Sequence, residues 1–146
     1  MRHYFLLMGV ISLLFISCGG SSNDRLENAE RVVEEKYPDG KEKVVVYYSK
    51  DDKHEKLMEE KFHEDGNIFW TGNFKNGERD GLWRSWYKNK NVWSEGNYIE
   101  GKRDGVWNFY YPNGRIHIKG YYKNDIKTGA WPTYDANGNI IKVEKY

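Results

Sequence analysis

Residues Ile68, Trp70, Gly72 and Phe74 alternate with Phe69, Thr71, Asn73 and Lys75. A period of two predicts a β-strand with the first set on one face and the second on the other. The same columns return 24 residues on, as Val92, Ser94, Gly96 and Tyr98, and again as Ile116, Ile118, Gly120 and Tyr122. Before each alternating run stands an aromatic segment of the Trp83–Tyr87 kind, which also predicts a strand. Between the two lies a turn, YPNG at Tyr111–Gly114 or DANG at Asp135–Gly138. Pro, Asn and Gly there supply a preset φ and a tolerated positive φ. The chain therefore predicts hairpin after hairpin, an elongated antiparallel meander.

The period has a clear phase. Residues 58–81, 82–105 and 106–129 are three full copies, and 130–146 is a partial fourth. Gly81, Gly105 and Gly129 close the copies, and Trp83, Trp107 and Trp131 follow two residues later. Trp86, Tyr110 and Tyr134 come next. Gly66, Gly114 and Gly138 hold the turn, with Lys90 breaking that column. A glycine in a fixed mid-strand column, Gly72, Gly96 and Gly120, points to close approach by a ring of the neighbouring hairpin. NGERDG and EGKRDG link one copy to the next. A fixed period of this length is the signature of a repeat array.

These steps resemble the MORN repeats in their bacterial variant form. The residues that carry the likeness are the G-x-W steps at Gly81–Trp83, Gly105–Trp107 and Gly129–Trp131, the YPNG-type turn, the G-x-[FY] step and the NG-x-x-DG linker. The likeness runs from about Tyr37 to Tyr146. It implies an all-β, elongated β-hairpin array used as a scaffold. Bacterial proteins of this kind are grouped with the YwqK-like antitoxins, which implies a second, toxin-neutralising role.

The amino-terminal part changes the picture. Arg2 precedes an apolar run, Phe5–Ile16, that is too short to span a bilayer, where ~20 residues are needed. Cys18 is the chain's only cysteine and ends that run, with Gly19, Gly20, Ser21 and Ser22 after it. Residues 1–17 thus resemble a lipoprotein signal, with Cys18 as the lipidated residue and 18–23 as a flexible tether. The resemblance further implies an envelope protein, sorted to the outer membrane in a Gram-negative cell. Leu26, Ala29 and Val33 have helical spacing, and Asp24 with Glu27 resembles a capping box. They predict a short N-terminal helix over 24–36 that covers the open end of the sheet. YPDG at Tyr37–Gly40 marks 37–57 as a divergent first repeat, set 26 residues before the next turn glycine rather than 24.

The length leaves no room for a catalytic domain beside the repeats. Without residues 1–17 the chain carries 22 Lys+Arg against 22 Asp+Glu, which is not the dense basic face of a nucleic-acid binder. His54, His63 and His117 lie in different copies with no metal-ligand spacing. Ser85 and Ser94 lack a nucleophile-elbow context. The reading is of a non-enzymatic protein with no cofactor and no metal. The candidates for binding are the two aromatic columns, Trp83, Trp107 and Trp131 on one face and Trp86, Tyr110 and Tyr134 on the other. One of them must be packing, while an exposed ladder would mark a binding surface. The expected partner is a protein of the cell envelope, with membrane contact through the lipid and no nucleic acid. The alternatives are the antitoxin role and recognition of cell-wall glycan or lipid.

Overall fold

The structure is a computed structural model and describes residues 26–51 and 53–146. Residues 1–17, Cys18 and the 18–23 tether lie outside the described residues. The chain forms β1 Ala29–Lys36, β2 Glu42–Ser49, β3 Lys56–Phe62, β4 Ile68–Lys75, β5 Glu78–Trp86, β6 Val92–Ile99, β7 Lys102–Tyr110, β8 Ile116–Lys123, β9 Ile126–Thr128, β10 Ala130–Tyr134 and β11 Ile140–Lys145. They make one antiparallel sheet in chain order, with β9 pairing β8 and β10 continuing the path to β11. β9 and β10 are one strand of the earlier copies split at Gly129, whose φ is 69°. The all-β hairpin array is thus present.

The N-terminal helix expected over 24–36 is not. Helical conformation among the described residues stops at Leu26 and Glu27, and Ala29–Lys36 is strand β1. A lone helix of that length with a thin apolar stripe is marginal in water. The outer edge of β2 instead offers an unpaired ladder. Val32 and Val33 there sit opposite Val46 and Val45, and Arg31 forms an ion pair with Glu42. Cross-strand contacts of this kind outweigh the weak local preference.

The long edges of the sheet use two turn types. On one edge Tyr111 N donates to Arg115 O at 2.8 Å and Gly114 N to Tyr111 O at 2.8 Å, and the same pair of bonds recurs at Tyr37, His63, Tyr87 and Asp135. A bulge follows in each case, as between Ser85 and Trp86 opposite Val92. Lys90 takes the left-handed φ of 68° that glycine takes in the other copies. On the other edge the linker proves shorter than the NGERDG reading. The turns are the pairs Asn76–Gly77, Glu100–Gly101 and Asn124–Asp125, each with two positive φ values, and Glu78–Gly81 already belongs to β5. Two positive φ values make a type I′ turn, whose twist suits a tight hairpin.

The turn edge is stitched by side chains as well. Tyr37 Oη donates to Phe62 O at 2.8 Å, Tyr87 Oη to Tyr110 O at 2.7 Å and Tyr111 Oη to Tyr134 O at 2.8 Å. Each hydroxyl ties one hairpin to the strand end of the next, so neighbouring copies are held in register by more than the ladder. The most buried stretch of the sheet is Val44–Val46 on β2.

Candidate functional site

Strand alternation places Trp83, Trp107 and Trp131 on one side of the sheet, here called the ring face. In the register Trp83 stands across from Gly72 on the strand before it and from Gly96 on the strand after it, and Trp107 stands across from Gly120 on the strand after it. The indoles lie flat over glycines of the preceding strand. A Cβ added at Gly72, Gly96 or Gly120 would come within 2.1–2.2 Å of the ring of Trp83, Trp107 or Trp131, respectively. Only a residue without a side chain allows that approach. The three tryptophans are 8%, 7% and 3% exposed. Their indole N–H groups are satisfied, donating to Asn73 O, Asn97 O and Thr128 O at 3.1–3.3 Å.

Tyrosines fill the gaps between them. Phe74, Trp83, Tyr98, Trp107, Tyr122, Trp131 and Tyr146 form a continuous edge-to-face series with centroids 4.9–6.0 Å apart. This geometry suits the ring quadrupoles and adds ~0.5–1.5 kcal/mol per pair beyond area burial. The series is therefore the core of the array, a packing device rather than an open ladder.

A cation closes each unit of the series. The guanidinium of Arg79 lies 4.4 Å from the Trp83 centroid, that of Arg103 4.2 Å from Tyr122, and Lys127 Nζ 4.5 Å from Trp131. Each also donates to a tyrosine hydroxyl: Arg79 to Tyr98 at 3.2 Å, Arg103 to Tyr122 at 3.0 Å and Lys127 to Tyr146 at 3.2 Å. This column was legible at the 24-residue period but was passed over as part of a polar linker. Arg103 differs from Arg79 in one respect: its Nε donates to Asp125 Oδ1 at 2.7 Å.

The opposite side, the open face, carries Trp86, Tyr110 and Tyr134, all half-buried. Tyr110 Oη donates to Glu95 Oε1 at 2.6 Å, and Arg84 Nε donates to Glu95 Oε2 at 2.9 Å. Burial pushes the Glu95 carboxyl up, but the bonds from Tyr110 and Arg84 outweigh it and hold the group below the usual carboxylate range. Burial and the Glu95 contact together push the Tyr110 phenol up to about 12. Beside this network stand apolar groups. Val106 pairs with Tyr121, and Leu82 stands two strands from Val106, across β6 and opposite Asn97. Leu82, Val106 and Tyr121 are 44%, 40% and 48% exposed.

The two predicted columns thus part company: Trp83, Trp107 and Trp131 are brought together in the core, and Trp86, Tyr110 and Tyr134 stand on the open face. Cys18 lies outside the described residues. Among the described residues no three His, Cys, Asp or Glu side chains gather where they could hold a metal ion, and no helix is long and apolar enough to cross a membrane.

The family described as MORN repeat variant matches residues 79–100 and 103–124. Each matched unit begins at the cation of the ring face and ends at the type I′ turn, so two adjacent copies carry MORN-variant repeats. No curated protein matches the chain. Among solved structures, S. aureus TarM is similar over 82% of this chain and 22% of its own, at 16% identity and a TM-score of 0.46. The accessory secretory protein 1, 2 and 3 structure of Streptococcus pneumoniae is similar over 73% of this chain and 19% of that one, at 13% identity and a TM-score of 0.46. The GtfA/B complex bound to UDP and GlcNAc is similar over 80% and 24%, at 10% identity and a TM-score of 0.32. The chain spans about a fifth of the length of the structures it resembles.

Proposed function

We propose that this chain is a non-enzymatic repeat scaffold that binds another protein of the cell envelope and is held at the membrane by lipid on Cys18. The observation that carries the reading is the open face. Val106 and Tyr121 form an exposed apolar pair, with Leu82 exposed on the same face across β6, beside an ordered Arg84–Glu95–Tyr110 network, with Trp86 and Tyr134 on the same side. Aromatic and aliphatic groups flanked by satisfied polar ones are what the centre and rim of a protein interface require. The aromatic series of the ring face is held in its own packing, so the residues proposed for the protein interface are Trp86, Tyr110 and Tyr134 rather than Trp83, Trp107 and Trp131.

The test is capture of envelope proteins by the full chain and by a Leu82→Ser/Tyr121→Ser variant, with incorporation of a labelled fatty acid followed in Cys18→Ala. One protein held by the first chain and lost by the second supports the reading, as does loss of label from Cys18→Ala. Equal capture by both moves the interface off the open face. A toxin as the captured protein would favour the antitoxin role that goes with the YwqK-like group.

A further inference from the structure

Next to the tryptophans, a second row crosses the ring face strand by strand: Lys61, Trp70, Ser85, Ser94, Phe109, Ile118. Large side chains stand on both sides of the two serines. The volume they leave out is an open cavity of about 250 Å³. Ser85 and Ser94 make its buried floor, with their hydroxyls 2.6 Å apart, Trp70, Trp83 and Trp93 line it, and Arg79 stands over it.

The next copy fills the same places itself. Phe109 and Ile118 occupy the columns of Ser85 and Ser94, and Asp125 occupies the column of Gly101. Arg103 therefore has a carboxylate bound at Nε, whereas Arg79 donates only to Tyr98 and makes no ion pair among the described residues. One copy supplies its own apolar filling and an aspartate bound to its arginine, whereas its neighbour has serines in those columns and, at Gly101, only the Glu78 side chain alongside, with no ion pair to Arg79 among the described residues.

We infer that the second copy binds a carboxylate-bearing sugar ring, a hexuronate free or in a chain, with its carboxylate on the cavity side of the Arg79 guanidinium, away from the Glu78 side chain that lies against Gly101. A planar guanidinium suits a carboxylate because it can donate two parallel N–H groups. The C–H face of a pyranose lies against indole, while its hydroxyls donate to the serine pair, whose oxygens keep acceptor lone pairs. An aromatic acid would match the tryptophans and the arginine but carries no hydroxyl to donate to the remaining lone pairs of the serine oxygens. The cavity takes one ring rather than a drug-sized ligand. The site is on the ring face and does not depend on a protein bound to the open face.

The experiment is calorimetric titration of the full-length chain in detergent with D-glucuronate, D-glucose and benzoate. Glucuronate is expected to saturate, with glucose at least tenfold weaker. Arg79→Gln, an exposed change, should lower glucuronate affinity at least tenfold, while Arg103→Gln leaves it unchanged. Ser85→Phe/Ser94→Ile should abolish binding and keep the fold, because those residues already hold these columns in the next copy. If that pair misfolds, Arg79→Gln still decides. No saturable heat with glucuronate, an unchanged affinity in Arg79→Gln, or benzoate binding more tightly than glucuronate would each overturn the assignment.

Discussion

On the ring face, three indoles lie on three glycines and are almost wholly buried, while on the open face Leu82, Val106 and Tyr121 stand largely in solvent. Both faces belong to the same strands and repeat with the same period. The difference lies in what the neighbouring strand presents. Beneath each tryptophan the preceding strand presents a glycine, so the ring folds down onto backbone. Opposite Leu82 and Val106 stand Asn97 and Tyr121, which leave no bare backbone for them to fold onto. A single-layer sheet with no second layer among the described residues thus makes a core on one side by removing Cβ atoms, and keeps the other side free for contact.

Replacing Trp107 by Ala tests the ring face most severely. Loss of a buried tryptophan costs ~3–5 kcal/mol, and a chemical-denaturation midpoint near wild type would mean that this face does not carry the fold. Gly96→Ala comes next, since its new methyl would need the space of the Trp107 ring. Overpacking of this sort costs ~1–3 kcal/mol, and Gly105→Ala, which meets no side chain within 4 Å, separates the steric cost from backbone strain. Lys90→Gly should raise stability by about 1 kcal/mol, because a left-handed φ costs an L-residue ~1–2 kcal/mol. Open-face changes such as Tyr121→Ser should leave the midpoint within ~0.5 kcal/mol. A larger drop would make the two faces equivalent.

Acid sharpens the contrast further. Glu95 has a lowered folded pKa, so its stabilisation is full above the ordinary carboxylate range and is lost as pH falls through the folded value. Tyr110 has a raised one, so its contribution is full below pH ~10 and is lost as pH rises towards about 12. Melting temperature followed against pH should therefore decline less steeply at the acid end in Glu95→Gln than in wild type. Identical acid limbs would remove the Arg84–Glu95–Tyr110 network from the account.

Part of the site was readable before any coordinates. Gly72, Gly96 and Gly120 indicated an overlying ring because a glycine held in one column of a strand has few other uses. The cation column Arg79, Arg103 and Lys127 was equally periodic, yet its role depends on a side chain folding back from the linker over a ring one strand away. The serine pair is not a repeat feature at all. It matters because of what the next copy has in the same columns, Phe109 and Ile118, and because of the cavity left between the large neighbours.

Residues 24–36 mark the limit from the other direction. Leu26, Ala29 and Val33 fit a helical stripe, and Val32 with Val33 fits a strand, so local pattern could not choose. The free edge of β2 chose, since pairing there satisfies a row of backbone groups that a thin helix would leave open. At the far end Glu144 stands in the column of Gly72, Gly96 and Gly120, opposite Trp131, so no further indole could lie on β11 as the others lie on their strands. Period, hairpin order and the glycine columns were written in the sequence, because each follows from spacing and from the needs of single residues. The buried face, strand β1 and the lack of an ion pair at Arg79 among the described residues came from the tertiary structure, because each depends on which side chain a neighbouring strand places opposite.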